Sequence, residues 1–214
     1  GYGYTQFNEH LNTWLGHTKA SGKFTHKAGD KLLVDYCGQK LQIVDKSTGE
    51  IQDVEVFVGI LPCSSYTYVE ASLSQRREDF INSVNNCFSF LGGSTKAIVP
   101  DNLKSAVSKA SKYEPILNKT LKDLALHYGC AINPTRSYSP QDKAMVEGAV
   151  KLVYQRIYFP LRNMTFFSLD ELNAQLRIEL EKYNAYLMET YQASRRKLFV
   201  DLEQQYLQPL PSEP

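Results

Sequence analysis

Lys31-Leu32-Leu33-Val34-Asp35-Tyr36 is a short apolar run that abruptly presents a carboxylate. Apolar and β-favouring residues without polar alternation are what a central strand covered on both faces requires. A lone Asp inside such a strand is costly to bury unpaired, so Asp35 is expected to have a partner, a cation. Two later acids stand in comparable settings, Asp101 in Ala97-Ile98-Val99-Pro100-Asp101-Asn102 and Glu147 in Gln141-Asp142-Lys143-Ala144-Met145-Val146-Glu147. The fold is expected to bring the three together.

Working outward, Leu41-Gln42-Ile43-Val44 and the turn Asp45-Lys46-Ser47-Thr48-Gly49-Glu50 have hairpin character. Residues 54–61 and 66–71 are rich in Val, Ile, Phe and Tyr, with a turn at 62–65, so an antiparallel half-sheet is expected. The period then changes. Phe80, Ile81, Val84, Phe88 and Leu91 recur at helical spacing before Gly92-Gly93, and 97–99 reads as the next strand. Pro100 closes that strand and leaves Asp101 just past its carboxyl end, where open α/β sheets bind ligands. Leu117, Leu121, Leu124, Ala125 and Tyr128 trace another helix ended by Gly129, and 130–133 reads as a last short strand.

A loop at 135–140 leads into a helix starting near Gln141 or Asp142. Lys143, Glu147, Lys151 and Tyr154 share one face of it, so a carboxylate flanked by two lysines is expected to face the site. Phe159-Pro160 should end or kink this helix. Ser168-Leu169-Asp170-Glu171 fits a capping box with a Phe167/Leu172 staple, and Leu172, Leu176, Leu180, Tyr183 and Leu187 form an apolar stripe. Near the start, Phe7, Leu11, Trp14 and Leu15 suggest a short amphipathic helix followed by a Gly-punctuated arm. Three segments are therefore expected: a helix and arm at 1–29, a catalytic core at 30–163, and a helical extension and linker at 164–214.

Composition narrows the partners. A chain of 214 residues with 43% hydrophobic content can bury one sizeable core. Its net charge of +1 leaves little surplus for capturing a polyanion. Cys37, Cys63, Cys87 and Cys130 form no C-x-x-C pair and read as reduced thiols of a cytoplasmic protein. No apolar run reaches the roughly 18 to 20 residues of a membrane span. His10, His17 and His26 lack ligand spacing, which disfavours a zinc hydrolase, and His127 reads as a helix-end residue.

Taken singly, Asp35 and Asp101 could be strand-end turn formers and Glu147 a solvated residue paired with Lys143 or Lys151. Taken together, three carboxylates without His or Cys favour Mg²⁺ or Mn²⁺. Two such ions about 4 Å apart can activate a nucleophile and stabilise the leaving oxygen of a phosphoryl displacement. Lys143 and Lys151 would then meet the phosphates of the substrate, while Lys104 and Arg136, beside the proposed site, read either as surface charge or as further phosphate contacts.

The order of elements resembles the ribonuclease H-like fold of the retroviral integrase superfamily, an α/β fold with a mixed five-stranded sheet flanked by helices. Val34-Asp35, Pro100-Asp101-Asn102 and Pro140-x-x-x-Ala144-x-x-Glu147 sit where that superfamily carries its D, D and E acids. The closer likeness is to IstA-type insertion-sequence transposases. It rests on Pro100-Asp101-Asn102-Leu103-Lys104-Ser105-Ala106-Val107, Ala125-Leu126-His127-Tyr128-Gly129, Asp142-Lys143-Ala144-x-Val146-Glu147 and Tyr66-Thr67-Tyr68-Val69-Glu70-Ala71, and runs over 4–211. Tyr36-Cys37-Gly38 departs from it, since the family commonly has Trp-Gly or Trp-Ala there. The resemblance implies two-metal DNA strand cleavage and 3′-hydroxyl strand transfer, an oligomer assembled on DNA, separate DNA-recognition domains, and an AAA+ ATPase partner, IstB. A nuclease of the same fold that only hydrolyses nucleic acid is the alternative.

Overall fold

The computed structural model describes residues 26–100, 119–133 and 140–212. Its centre is strand β1 (Lys31–Tyr36), where Leu32, Leu33 and Val34 are all buried. Three consecutive buried side chains point alternately to opposite faces, so both faces must be covered. β1 runs antiparallel to β3 (Ile51–Ile60), from Leu33↔Ile60 to Tyr36↔Phe57. On its other side it runs parallel to β5 (Ala97–Pro100), from Lys31↔Ala97 to Val34↔Pro100. Beyond β5 lies β6 (Ala131–Ile132), also parallel, and beyond β3 lies β4 (Thr67–Ser72), antiparallel.

β2 (Leu41–Val44) extends the line of β1 along β3. Tyr36 faces Phe57 and Leu41 faces Val54, so four connecting residues, 37–40, stand against only two, 55–56. Cys37 N still donates to Val56 O at 2.8 Å, which places the bulge at Gly38-Gln39-Lys40. Across the sheet the order is therefore β4, β3, β1 with β2, β5, β6; the sheet is mixed as expected but has six strands among the described residues instead of five, because β2 resumes the line of β1 past the bulge.

Helices cover both faces. α1 (Arg77–Leu91) buries Phe80, Val84, Cys87, Phe88 and Leu91. It stops at Gly92, whose φ of 73° lets its amide turn back to Phe88 O and Ser89 O. α2 (Lys119–His127) buries Leu121 and Leu124 in the same core. On the other face Val146 and Ala149 of α3 (Pro140–Val153) pack in one cluster with Leu33, Ile60, Ala97 and Val99. The helix does not stop at Phe159-Pro160. It widens into a π-helical turn, Tyr154–Tyr158, in which Phe159 N reaches Tyr154 O, and ends after Phe159–Leu161. Proline removes one amide donor, and the longer i→i+5 bond accommodates the change of register.

α4 (Leu169–Ala185) opens as the capping pattern predicts, Ser168 Oγ accepting from Glu171 N at 3.1 Å. The return bond lands one residue early, Glu171 Oε2 accepting from Phe167 N at 2.8 Å. Phe167 is exposed under Lys46 Nζ, and its neighbour Phe166 enters the core instead. Leu172, Leu176, Leu180 and Tyr183 form the buried stripe, but Leu187 leaves it at 55% exposure. Tyr186 turns extended at the helix end and Leu187 joins a small hairpin, β7 (Leu187–Met188) with β8 (Ala193–Ser194). α4 also guards the sheet. Asn173 bonds Ala71 N and O at 2.7 and 2.9 Å, and Asn184 bonds Thr67 N and O at 3.2 and 2.7 Å. The two asparagines lie eleven residues apart, about three turns, so one helix face meets the outer edge of β4 at two points.

The last segment, α5 (Arg195–Leu198) continued by Phe199–Glu203 and Gln204–Tyr206, returns to the base of the sheet. Glu203 is fully buried, accepting from Gly29 N at 3.3 Å and from Ser64 N and Oγ at 3.0 and 2.6 Å. Gly29, φ 67°, lies so close beneath Tyr206 that an added Cβ would stand 2.4 Å from Tyr206 O.

Burial raises the Glu203 carboxyl above its ordinary 4.5, against the lowering effect of its Ser64 and Gly29 bonds. The folded chain therefore binds this proton more tightly than the unfolded one, and the stability it contributes falls as pH rises above about 4.5 through the folded value. Glu203→Gln offers one carbonyl oxygen to donors that now use two. Urea unfolding at pH 7 should show a loss of about 1–3 kcal/mol. That difference should be larger near pH 4.5 than at pH 7; a gap that widens with pH would contradict the raised carboxyl.

Candidate active site

Asp35 occupies the exit of β1, opposite Val58, with a half-buried side chain whose Oδ1 accepts from Tyr36 N at 2.8 Å. The strand beside it ends at the same level. Val34 pairs with Pro100, so the residues that follow in sequence are Asp35 and Asp101. Asp101 itself lies outside the described residues, as do Lys104 and Arg136.

Glu147 is on α3, exposed, between Val146 and Ala149, whose burial against Leu33 and Val99 fixes the helix on this face of β1 and β5. Lys151 is exposed one turn further on. Lys143 belongs to the same helix, its side chain lying outside the described residues. No group of three His, Cys, Asp or Glu side chains converges among the described residues.

The helix is also tied to the strand exit. Tyr154 OH accepts from Gln39 N at 2.8 Å, and Tyr158 OH donates to Gln39 O at 3.2 Å. Both amide groups of one bulge residue are thus held by two tyrosines from a single helical turn, their rings edge to face at 5.0 Å. Cys37, between Asp35 and the bulge, is buried, and that burial pushes its thiol up to about 11. The nearby Asp35 charge adds to the rise, while bonds to Tyr158 and Tyr154 oppose it.

The sequence placed Tyr154 on the Glu147 face but did not reveal the clamp on Gln39. The available signal was the pair Tyr154 and Tyr158 at i and i+4 together with the polar break Gly38-Gln39-Lys40 between two strand-like runs. His127 is exposed at the end of α2, its ring edge-on to Tyr128 at 4.8 Å.

The fold is the ribonuclease H-like fold of retroviral integrase catalytic cores. The catalytic core domain of BIV integrase superposes with a TM-score of 0.57 at 11% identity, over 83% of this chain and 95% of that one. The HTLV-2 integrase catalytic core domain, solved with magnesium, gives 0.54 at 13% identity, over 80% and 97%. In sequence the chain is a homologue of insertion-sequence transposases along its whole length. A Sinorhizobium fredii protein provisionally named transposase y4bL/y4kJ/y4tB is 42% identical over 214 residues, 100% of this chain and 42% of that protein. One from Pseudomonas fluorescens, provisionally named as the transposase for insertion sequence IS1162, is 38% identical over 213 residues, 100% and 38%. The transposase for insertion sequence element IS232 of Bacillus thuringiensis subsp. berliner is 26% identical over 212 residues, 97% and 47%. The chain thus spans less than half the length of these relatives. No family model matches it.

Tyr154→Phe removes the acceptor for Gln39 N while keeping the ring. Chemical denaturation should register a loss of about 1 kcal/mol. Amide exchange should accelerate at Gln39 and its neighbours before the centre of β1; unchanged protection at Gln39 would show that the bulge holds itself.

Proposed function

We propose that this chain is the catalytic part of a DDE transposase, cutting DNA at transposon ends and joining the 3′-hydroxyl to target DNA. The observation that carries the reading is the parallel register of β1 and β5. It sets two chain positions side by side immediately before Asp35 and Asp101, with the Glu147 helix packed on the same pair of strands. In this reading Asp35, Asp101 and Glu147 are the catalytic acids and the metal ligands. The proposed donor set is all oxygen, which suits a hard ion such as Mg²⁺ or Mn²⁺. Bound there, a pair of such ions would supply activation of the attacking oxygen and stabilisation of the leaving one.

The chain's own contribution is positional. β1 delivers Asp35 at a fixed depth, α3 delivers Glu147 through the Val146 and Ala149 contacts, and the tyrosine clamp keeps strand exit and helix in register. Holding reacting groups in place supplies a large part of such catalysis. Lys104, Arg136, Lys143 and Lys151 are proposed to hold DNA phosphates. Residues 30–163 would form the catalytic core, with 1–29 and 164–214 as its flanking segments. An oligomer on DNA, the IstB ATPase as partner and a cytoplasmic place of action belong to the same proposal. Among the described residues no helix is long and apolar enough to cross a membrane.

Strand joining by the full-length protein tests the acids. Asp35→Asn, Asp101→Asn and Glu147→Gln should each abolish joining while leaving the melting temperature unchanged or raised, because neighbouring carboxylates repel without metal. A mutant that still joins would sink the assignment of its residue. Cleavage without any joining by the wild type would favour the nuclease reading.

Charge balance sets a further expectation. With a net charge of +1, residues 1–214 should bind duplex DNA weakly and salt-sensitively, without preferring transposon ends. Fluorescence anisotropy with end-sequence and scrambled duplexes checks this; tight, selective binding at physiological salt would move end recognition into this chain.

A further inference from the structure

A second concave site lies between the π-helical turn after α3 and the C-terminal end of α4. It is a cavity of about 300 Å³ lined by Leu152, Arg156, Glu179, Lys182, Tyr183, Tyr186, Met188 and Arg195. Three of these side chains are cationic and one is anionic. Glu179 is already engaged, its Oε1 accepting from Lys182 Nζ at 2.8 Å and Gln175 Nε2 at 3.3 Å. The two arginines have no ion-pair partner among the described residues.

Arg195 is the unusual one. It is 7% exposed, its guanidinium stacks on the Tyr183 ring at 4.0 Å, and Nη1 donates to Tyr183 O at 3.3 Å. Its Nε has no hydrogen-bond partner among the described residues. A buried guanidinium held by one carbonyl and one ring still lacks an anion, and burying it that way is unfavourable unless something else completes the site. Arg156 approaches from the opposite wall, 4.7 Å above the ring of Tyr186, which is half exposed at the rim. It projects from a π-helical turn, an irregularity that recurs at functional sites. The remaining wall is apolar, from Leu152 and Met188.

Planar cations beside tyrosine rings and an apolar wall suit a ligand with a phosphate at one end and a flat ring at the other. We propose that this cavity binds one unpaired nucleotide, its phosphate on Arg195 and Arg156 and its base against Tyr186 and Met188. A cavity of this size matches the lower end of small-ligand sites, and a base can enter it only outside a duplex stack. The same chemistry could come from a free nucleotide or from an unpaired position in a DNA strand. As an element of DNA handling it rests on the transposase reading, but it uses none of the carboxylates of that site.

The test uses the full 214-residue chain in EDTA, which removes any metal-dependent binding. The probes are dAMP, a labelled ten-nucleotide single strand, and the same sequence as a blunt duplex. The single strand should bind at least tenfold more tightly than the duplex, and inorganic phosphate should compete at constant ionic strength. Binding of dAMP with comparable affinity would assign the site to free nucleotides; binding of the strand alone would assign it to DNA. Arg156→Ala with Tyr186→Ala, both at exposed positions, should weaken strand binding about tenfold without lowering the melting temperature. Arg195→Met should do the same if it folds, and the exposed pair decides the matter if it does not. Equal affinity for strand and duplex, or an unchanged affinity in the Arg156/Tyr186 double variant, overturns the proposal. Loss of joining in Asp35→Asn with strand binding intact would show the two sites to be separate; failure of strand binding alone leaves the transposase reading standing.

Discussion

The double-sided burial of β1 is the constraint on which the rest depends. Leu32, Leu33 and Val34 cannot all be removed from water unless helices cover both faces and strands pair on both edges. An ionised side chain has no place within that run. Asp35 is tolerated because it is only half buried, one residue past the last pair between β1 and β5, with one oxygen satisfied by the next amide. Position in the chain, rather than any special property of the carboxylate, makes it available for chemistry.

The same constraint explains why the tyrosine clamp and the helix contacts matter together. Val146 and Ala149 hold α3 down by dispersion and burial, which resist separation but tolerate sliding. Tyr154 and Tyr158 add directional bonds to a single residue of the bulge, and directionality is what apolar contact lacks. A helix so fixed has one axial position relative to β1.

Local pattern was legible in the sequence. β1, the β2 turn, α1 with its Gly92 stop and the Ser168 cap each follow from residues within one element. Contacts joining distant parts of the chain were not. The four-against-two bulge at residues 37–40 leaves no periodic signal, because its partners on the π-helical turn after α3 are more than a hundred residues away. The burial of Glu203 depends on Gly29 and Ser64, 174 and 139 residues away in the chain, so nothing local to it signals that environment. Leu187 fits the α4 stripe by spacing, yet an extended Tyr186 sends it to the surface. Of the three acids the sequence singled out, Asp35 and Glu147 lie on the strand and helix expected for them, and Asp101 lies outside the described residues.

The asparagine contacts on β4 bear on how copies of this chain can meet. A sheet grows by offering unsatisfied backbone groups at its rim, and both groups of Thr67 and of Ala71 are already taken by Asn184 and Asn173. A neighbouring chain could dock there as an added strand only by first displacing four hydrogen bonds and lifting α4 away. Self-association that leaves the fold intact must therefore use side-chain surfaces at this rim, and those can be formed and released without disturbing β3 and β1 behind it.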